Sequence, residues 1–370
     1  MKSKAAILWG TGQPWSVEEI ELDAPQHQEV LVRIEAAGMC HSDDHVRLGD
    51  GYAALPTIGG HEGAGVIEAV GPGIENLAVG DHVVFSFLPA CGRCQWCAIG
   101  RSNLCDFGAF LMEGSMISGG YRAHAQGKDV GTLSLVGTFS ERTVVHESSI
   151  VKIDQDIPFE VACLLGCGVP TGWGSAVNIG EVKPGETVVV VGIGGIGANA
   201  VQGARMCGAE NIVAIDPVTF KTDQAKILGA THTASSMEEA VPLLQEITRG
   251  VMADVGVCTV GIVEGWMIQP FMDLVSKGGR AVLTGMARNV DDSPKLGMQM
   301  FSLFEKSLLG TVYGGCNPRA DIPKLASLYK SGKLQLDELV TRTYSLDQIN
   351  EGYADMLAGK NIRGVIVNEF

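Results

Sequence analysis

The sequence predicts an α/β chain of two domains, a β-rich domain and a doubly wound parallel sheet, and three observations carry that expectation. Its 370 residues exceed the ~250–300 beyond which single hydrophobic cores divide. Residues 5–153 offer only short β-like runs, whereas from about residue 182 strand, glycine turn and helix alternate, which is the grammar of βαβ units. At the head of that second region the run VVVVGIGGIGANAV passes from an apolar strand through glycines straight into a helix.

The β-like runs of the first region fall at 30–36, 65–70, 82–87 and 142–146, divided by Gly, Pro and Asp. Residues 107–130, rich in Gly and Ser, read as a loop lobe, and loops of that size tend to be functional or to form interfaces. In the second region strands are expected at 187–191, 211–215, 253–258, 280–284 and 307–312. A helix follows the first strand to 207, and a helical pattern spans 263–276. A six-stranded sheet is the expected result. After residue 315 come a helix at 319–330, a strand, a helix capped by Ser345 and a final strand at 363–367. That is too little for a third domain, so the tail is expected to return to the first. The expected domains are 1–170 with 313–370, and 171–312.

The composition, 46% hydrophobic and 19% charged, is that of an ordinary globular chain. A net charge of −15 opposes binding to polyanions, so nucleic acid is not an expected partner. Only six apolar or Gly residues run together before Thr11, too few for a signal-peptide core, and the glycines of 188–201 keep that stretch short of a membrane span. A cytoplasmic protein without membrane contact is expected. Its ten cysteines then read as metal ligands or buried thiols rather than disulfides.

Cys91, Cys94, Cys97 and Cys105 lie within fifteen residues, with gaps of two, two and seven. Four thiolates on one short loop can close a tetrahedral zinc shell, and an iron–sulfur cluster would use the same ligands. A closed shell of this kind is chiefly a folding device, so a structural zinc is expected here.

A second set is scattered: Cys40 in GMCHSDDH, His61 in GGHEGAG and Cys167 in LLGCGVPTG. Singly, each reads as a turn residue or a buried thiol. Together, two Cys and one His leave a fourth zinc position for water or substrate, as in catalytic sites. Ser42, Asp43 and His45 stand beside the first ligand. A bound metal lowers the pKa of a hydroxyl, so Ser42 can accept the proton of an alcohol and His45 can pass it outward.

Gly192, Gly194 and Gly197 stand in GxGxxG register, with Gly195 and Ile196 completing the turn. Such a turn brings a pyrophosphate to the helix amino end, where free N–H groups and the dipole favour anions. Asp216 closes the next strand, 24 residues after Gly192. A carboxylate there accepts from a free 2′-hydroxyl and repels a 2′-phosphate, which favours NAD over NADP. FAD and S-adenosylmethionine are rivals for the turn, and the zinc constellation argues against both.

With these motifs in place the chain resembles the zinc-containing medium-chain alcohol dehydrogenases along essentially its whole length. The resemblance implies a GroES-like catalytic domain, a Rossmann domain and two zinc ions per chain. It implies Cys40, His61 and Cys167 as ligands of a catalytic zinc, with Glu62 as an occasional alternative, and the four-cysteine loop as the structural site. Ser42 and His45 match the family's proton relay, and Asp43 the carboxylate that orients the ligand histidine. Thr171 would sit against the nicotinamide, while His41, Lys221 and Arg363 match further cofactor contacts. The reaction implied is hydride transfer from a zinc-bound alkoxide to NAD, giving an aldehyde or ketone.

The insert after Cys105 and the run GTFSERTVV are similar to the glutathione-dependent formaldehyde dehydrogenases. The Arg and two acidic contacts that hold glutathione in that branch are replaced here by Ala109, Gly49 and Gly51. GTGQPWSVEEIELD and CHSDDHVRLGD instead resemble the nicotinoprotein alcohol dehydrogenases that reduce nitrosodimethylaniline, in which NAD stays bound and is recycled by a second substrate. A zinc-free quinone reductase on the same scaffold and a non-enzymatic zinc-ribbon module are the other readings. Ala54, Leu55, Phe87 and Leu111 are candidates for the pocket of a small alcohol or aldehyde. The edge of the last Rossmann strand suggests a homodimer or a multiple of it.

Overall fold

The short runs of the first region become two sheets. Lys2–Leu8, Ser16–Leu22, Ala123–Ala125, Lys128–Thr132 and Thr57–Ile58 close into a barrel. The second sheet runs in the order Ile150–Lys152, His82–Phe85, Ala64–Val70, Glu29–Gly38, Arg363–Val367 and Val340–Tyr344, with Arg142–His146 also paired to Glu29–Gly38. Glu29–Gly38 is buried at eight of its ten positions and reads VLV and AAG where it is covered most fully, as suits a strand with neighbours on each side and core on both faces. Its core contacts include Val32, Ile34, Ile67, Phe85 and Ile366, closed by the rings of Trp15, Phe139 and Tyr353.

This computed structural model describes residues 1–288 and 293–370. The chain separates into two units, Met1–Cys167 with Asn317–Phe370, and Gly168–Cys316. The divisions fall at 167/168 and 316/317, where the sequence suggested 170/171 and 312/313. The tail rejoins the first unit through Arg363–Val367, which pairs antiparallel with Glu29–Gly38 in the register Val365 to Gly38 and Val367 to Ala36.

The segment 107–130 differs from the loop lobe expected. It contains the strand Ala123–Ala125 and the start of Lys128–Thr132, which close the barrel. Both strands are short: Ala123–Ala125 holds too few residues to show a period, and Lys128 and Gly131 hide the alternation in Lys128–Thr132. The segment is anchored by Arg122, which places Nε 2.8 Å from Glu29 Oε2 and Nη2 2.7 Å from Oε1, while Ser118 donates to the same carboxylate.

The second unit holds a parallel sheet in the order His232–Ala234, Asn211–Ile215, Thr187–Val191, Ala253–Cys258, Val275–Leu283, Ser307–Gly310, six strands among the described residues. That is the doubly wound order in which the first strand lies central and ligands bind at the carboxyl ends. Thr187–Val191 reads TVVVV and is buried throughout, as a strand with helices on both faces must be. The helical pattern at 263–276 resolves into a 3-10 turn at Gly265–Met267, a helix at Ile268–Asp273 and the start of the strand Val275–Leu283. A buried apolar run satisfies strand and helix equally, which explains the overextension. Among the described residues no helix is long and apolar enough to cross a membrane.

Candidate metal and nucleotide sites

Cys40 ends the connection from Glu29–Gly38 and caps the helix His41–Leu48, with φ −120° and ψ 148° as an N-cap requires. His61 and Glu62 follow the barrel strand Thr57–Ile58, and Cys167 ends the 3-10 turn Cys163–Gly166. These three segments bring one ligand atom each from Cys40, His61, Glu62 and Cys167 to within 4.8 Å of one another, all from buried side chains. The polar stretch after Cys40 is therefore a helix that turns Asp43, Asp44 and His45 to the interior, with Asp43 fully buried.

Asp43 explains the orientation of His61. Its Oδ1 accepts from His61 Nδ1 at 2.9 Å and from the Gly60 amide at 3.2 Å, so Nε2 is the ring nitrogen left to meet a metal. Burial alone would push His61 down, but Asp43 and Cys40 together hold it well above its ordinary value. The Cys167 side chain, followed by His61, pulls the Cys40 thiol well below its usual range. Glu62 is fully buried and bonded to Arg363, whose guanidinium is also buried. Burial pushes the Glu62 carboxyl up to about 7 against the pull of that arginine, and Oε1 has no hydrogen-bond partner among the described residues. Two sulfurs, one imidazole and a neighbouring carboxylate in a buried setting form a donor set suited to zinc.

Around the cluster, Cys40 Sγ donates to Ser42 Oγ at 3.6 Å, and the Phe87 ring meets His61 edge-on with centroids 5.4 Å apart. Leu55 is 37% exposed, and the Ala54 amide donates to Met112 O at 3.2 Å, which ties the 51–55 segment to the 110–114 loop beside Leu111. Two partners are visible only in the fold. Arg363 meets Glu62 across 301 residues of chain, and Tyr353, stacked on Trp15, donates to Cys40 O at 3.4 Å.

The second cluster gathers Cys91, Cys94, Cys97 and Cys105, again with their sulfurs within 4.8 Å of one another and none in a disulfide. The amide of Cys91 donates to Cys105 Sγ at 3.4 Å, that of Cys94 to Cys91 Sγ at 3.3 Å and that of Cys97 to Cys94 Sγ at 3.5 Å. The amides of Asp106 and Cys97 bring the Cys94 thiol down to about 6, while burial pushes Cys105 up to about 12. A loop whose backbone donors are aimed at sulfur is arranged for thiolates.

In the second unit Gly194 caps the helix Gly195–Met206, so Gly195, Ile196 and Gly197 form its first turn. A Cβ on Gly197 would lie 2.0 Å from Gly192 O, so the helix can sit this close to the turn only without one. Asp216 follows Asn211–Ile215 and folds back on the turn: Oδ2 accepts from the Ile193 amide at 2.8 Å and Oδ1 from the Val218 amide at 2.9 Å. Lys221 lies on the helix Thr219–Leu228, and Thr171 is buried on Gly168–Gly174. His41 is half-buried at the amino end of His41–Leu48.

A barrel-bearing unit with two metal-type donor clusters, joined in one chain to a doubly wound dinucleotide fold, is the architecture of a zinc-binding medium-chain dehydrogenase. Comparison with known proteins agrees. Residues 26–155 match the alcohol dehydrogenase GroES-like domain and residues 195–331 the zinc-binding dehydrogenase domain. The chain is 50% identical over 368 residues to alcohol dehydrogenase B of Mycobacterium tuberculosis, covering 99% of this chain and 98% of that protein. It is also 50% identical over 368 residues to the NDMA-dependent alcohol dehydrogenase of Amycolatopsis methanolica, covering 100% and 99%. Benzyl alcohol dehydrogenase from Acinetobacter calcoaceticus superposes with a TM-score of 0.92 at 32% identity, with 100% of both chains covered. The chain belongs to the zinc-containing medium-chain alcohol dehydrogenases and is an enzyme of that family.

Proposed function

We propose that the enzyme oxidises a small-molecule alcohol to its aldehyde or ketone with NAD, and that each chain holds two zinc ions. Cys40, His61 and Cys167 would hold the catalytic ion; Cys91, Cys94, Cys97 and Cys105 would hold the structural one. The observation that carries this reading is the buried convergence of Cys40, His61, Glu62 and Cys167, with His61 Nδ1 already committed to Asp43. Arg363 draws Glu62 aside, so the two sulfurs and the imidazole leave one coordination position for substrate, with Glu62 as an alternative ligand. When bound, zinc supplies Lewis acidity that eases loss of the hydroxyl proton, and NAD supplies the hydride acceptor.

The side chains of this enzyme then do the rest. Asp43 keeps the tautomer of His61 that presents Nε2. Ser42 takes the hydroxyl proton and His45, three residues on along the same helix and so on the same face, carries it outward. Phe87 packs against His61 and limits the access of water. The amides at Gly192–Gly197 take the pyrophosphate and Asp216 the ribose hydroxyls, which favours NAD over its 2′-phosphate. Thr171 and Lys221 add cofactor contacts. The likeness to the NDMA-dependent enzyme supports a cofactor that stays bound and is re-oxidised in place by a second acceptor, and the edge strand Ser307–Gly310 supports a homo-oligomer.

Metal and nucleotide content of the purified, desalted protein test this reading. Two zinc ions with stoichiometric nucleotide are expected. Two zinc ions without nucleotide would remove the bound-cofactor reading and leave the dehydrogenase intact; one ion or none would remove the catalytic site as drawn.

A further inference from the structure

We propose that Asp50 is a positioning residue for His45, forming with Ser42 a three-membered proton path. The inference rests on the reading above, in which Ser42 and His45 carry the hydroxyl proton. The helix His41–Leu48 ends at Gly49 in the left-handed region, with φ 90° and ψ 9°. That reversal lets the amides of Asp50 and Gly51 both donate to His45 O, at 2.9 Å and 3.2 Å. The same turn carries the Asp50 carboxylate back over the helix end, where Oδ2 lies 3.4 Å from His45 Nδ1. Backbone and side chain of Asp50 thus converge on one residue.

Each of the other two carboxylates of this helix has one oxygen with a partner. Asp43 accepts from His61, and Asp44 accepts from Arg47 at 2.7 Å. His41, one turn back, lies with its ring centroid 6.3 Å from that of His45. The loop that reaches the helix end from the other side places Thr11 beside Gly49 and donates the Gly12 amide to Arg47 O, and it brings no charge. Asp50 is the carboxylate facing Nδ1.

The chemical consequence concerns the far nitrogen. His45 is 8% exposed, and both of its ring nitrogens are buried with no hydrogen bond among the described residues, so Asp50 Oδ2, 3.4 Å away, meets Nδ1 as an ion-pair contact. A carboxylate facing Nδ1 favours the tautomer with the ring hydrogen on that atom, in which the Nε2 lone pair is the acceptor. On this path Ser42 would take the hydroxyl proton as its own hydrogen moves on toward His45 Nε2, which has no competing hydrogen bond among the described residues. With NAD bound, the cofactor would supply the hydride acceptor, and His45, with its positive charge balanced by Asp50, would hold the proton and release it to solvent. Overall the alcohol loses one hydride and one proton, which balances the aldehyde or ketone formed.

The test compares wild type with Asp50→Asn, Asp50→Glu, His45→Gln and the double variant Asp50→Asn with His45→Gln. For each, the first-turnover rate of nicotinamide reduction is measured at saturating NAD across a range of alcohol concentrations, together with zinc content and melting temperature. Asparagine keeps the turn and the size of the side chain but removes the charge. The expected result for Asp50→Asn is a rate lower by roughly tenfold, a fraction of what a complete general base supplies, with alcohol KM, zinc content and melting temperature unchanged. Asp50→Glu should recover most of the rate, and the double variant should be no slower than His45→Gln alone. A full wild-type rate in Asp50→Asn would overturn the proposal, as would an equal slowing in the presence and absence of His45, because Asp50 would then act elsewhere. A wild-type rate in His45→Gln would instead remove the relay itself, and the role of Asp50 with it.

Discussion

The tautomer of His61 depends on a single oxygen, Asp43 Oδ1, which also accepts from the Gly60 amide. Asp43→Asn would keep the shape but could offer an amide NH₂ where the ring needs an acceptor. Loss of such a partner typically costs ~10–100-fold in metal affinity. Zinc retention against a graded chelator should therefore fall by about that factor, while the melting temperature of the loaded protein changes little. Cys40→Ala and His61→Ala should abolish alcohol oxidation and leave the far-ultraviolet dichroism of the wild type; turnover in either variant would take that residue out of the metal site. Their convergence could be expected from sequence because ligand chemistry admits so few residue types. The Glu62–Arg363 contact could not, since nothing local to either residue announces a partner 301 positions away.

Two elements show how function presses on local structure. The four-cysteine loop has little regular structure of its own, a four-residue helix and turns, and its sulfurs collect the backbone amides that a longer element would spend internally. Cys94→Ser should lower the melting temperature by several degrees and increase cleavage of the 91–105 loop by protease, with alcohol oxidation retained at low temperature. A variant that melts normally yet has lost activity would contradict a purely structural role. The glycine turn has the opposite problem, too little room. Gly197→Ala places a methyl 2.0 Å from Gly192 O, and because that neighbour is backbone the helix Gly195–Met206 must shift. A cost of about 1–3 kcal/mol is expected for such overpacking, seen as a lower melting temperature together with weakened nucleotide retention.

The same contrast decides what could be read in advance. The glycine turn and the strand before it were legible because the chemistry dictates residue identity and the strand is one unbroken apolar run. The strands Ala123–Ala125 and His232–Ala234 were not, since three residues of mixed polarity hold no period, and tertiary pairing alone makes them strands. The helix His41–Leu48 was hidden for another reason: its inward face carries Asp43, Asp44 and His45 where a core helix would carry apolar side chains.

Across the whole molecule, acid sensitivity has an identifiable contributor. Burial pushes the Glu29 carboxyl up, but Arg122, Ser118 and the Gln26 amide outweigh it and hold the group below its ordinary value. A carboxylate with a lowered folded-state value stabilises the protein above its unfolded value of about 4.3, and that stabilisation is lost as pH falls through the folded value. Melting temperature should therefore drop on acidification below that point, and Glu29→Gln should flatten this part of the profile. Arg122→Met leaves a buried carboxylate without its cation and should cost about 3–5 kcal/mol near neutral pH, measured by urea unfolding. A loss much below that range would mean that Ser118 and the Gln26 amide suffice to hold the charge.

The strand Arg363–Val367 joins a sheet whose central member, Glu29–Gly38, leaves the ribosome long before it. Translation at ~5–20 residues per second separates Glu62 from Arg363, 301 residues apart, by roughly 15–60 seconds. During that interval the segment 168–316, contiguous in sequence, can complete its own sheet, while the nascent first unit still lacks two of its strands. Cys40, His61 and Glu62 wait with the arginine that partners Glu62 not yet synthesised. Metal delivered early in synthesis would meet a carboxylate free to compete as a ligand; metal delivered after termination would meet one already claimed. On the proposed ligand set, the order in which the chain is made therefore lets Glu62 take part in any metal bound early and withdraws it once Arg363 has been added.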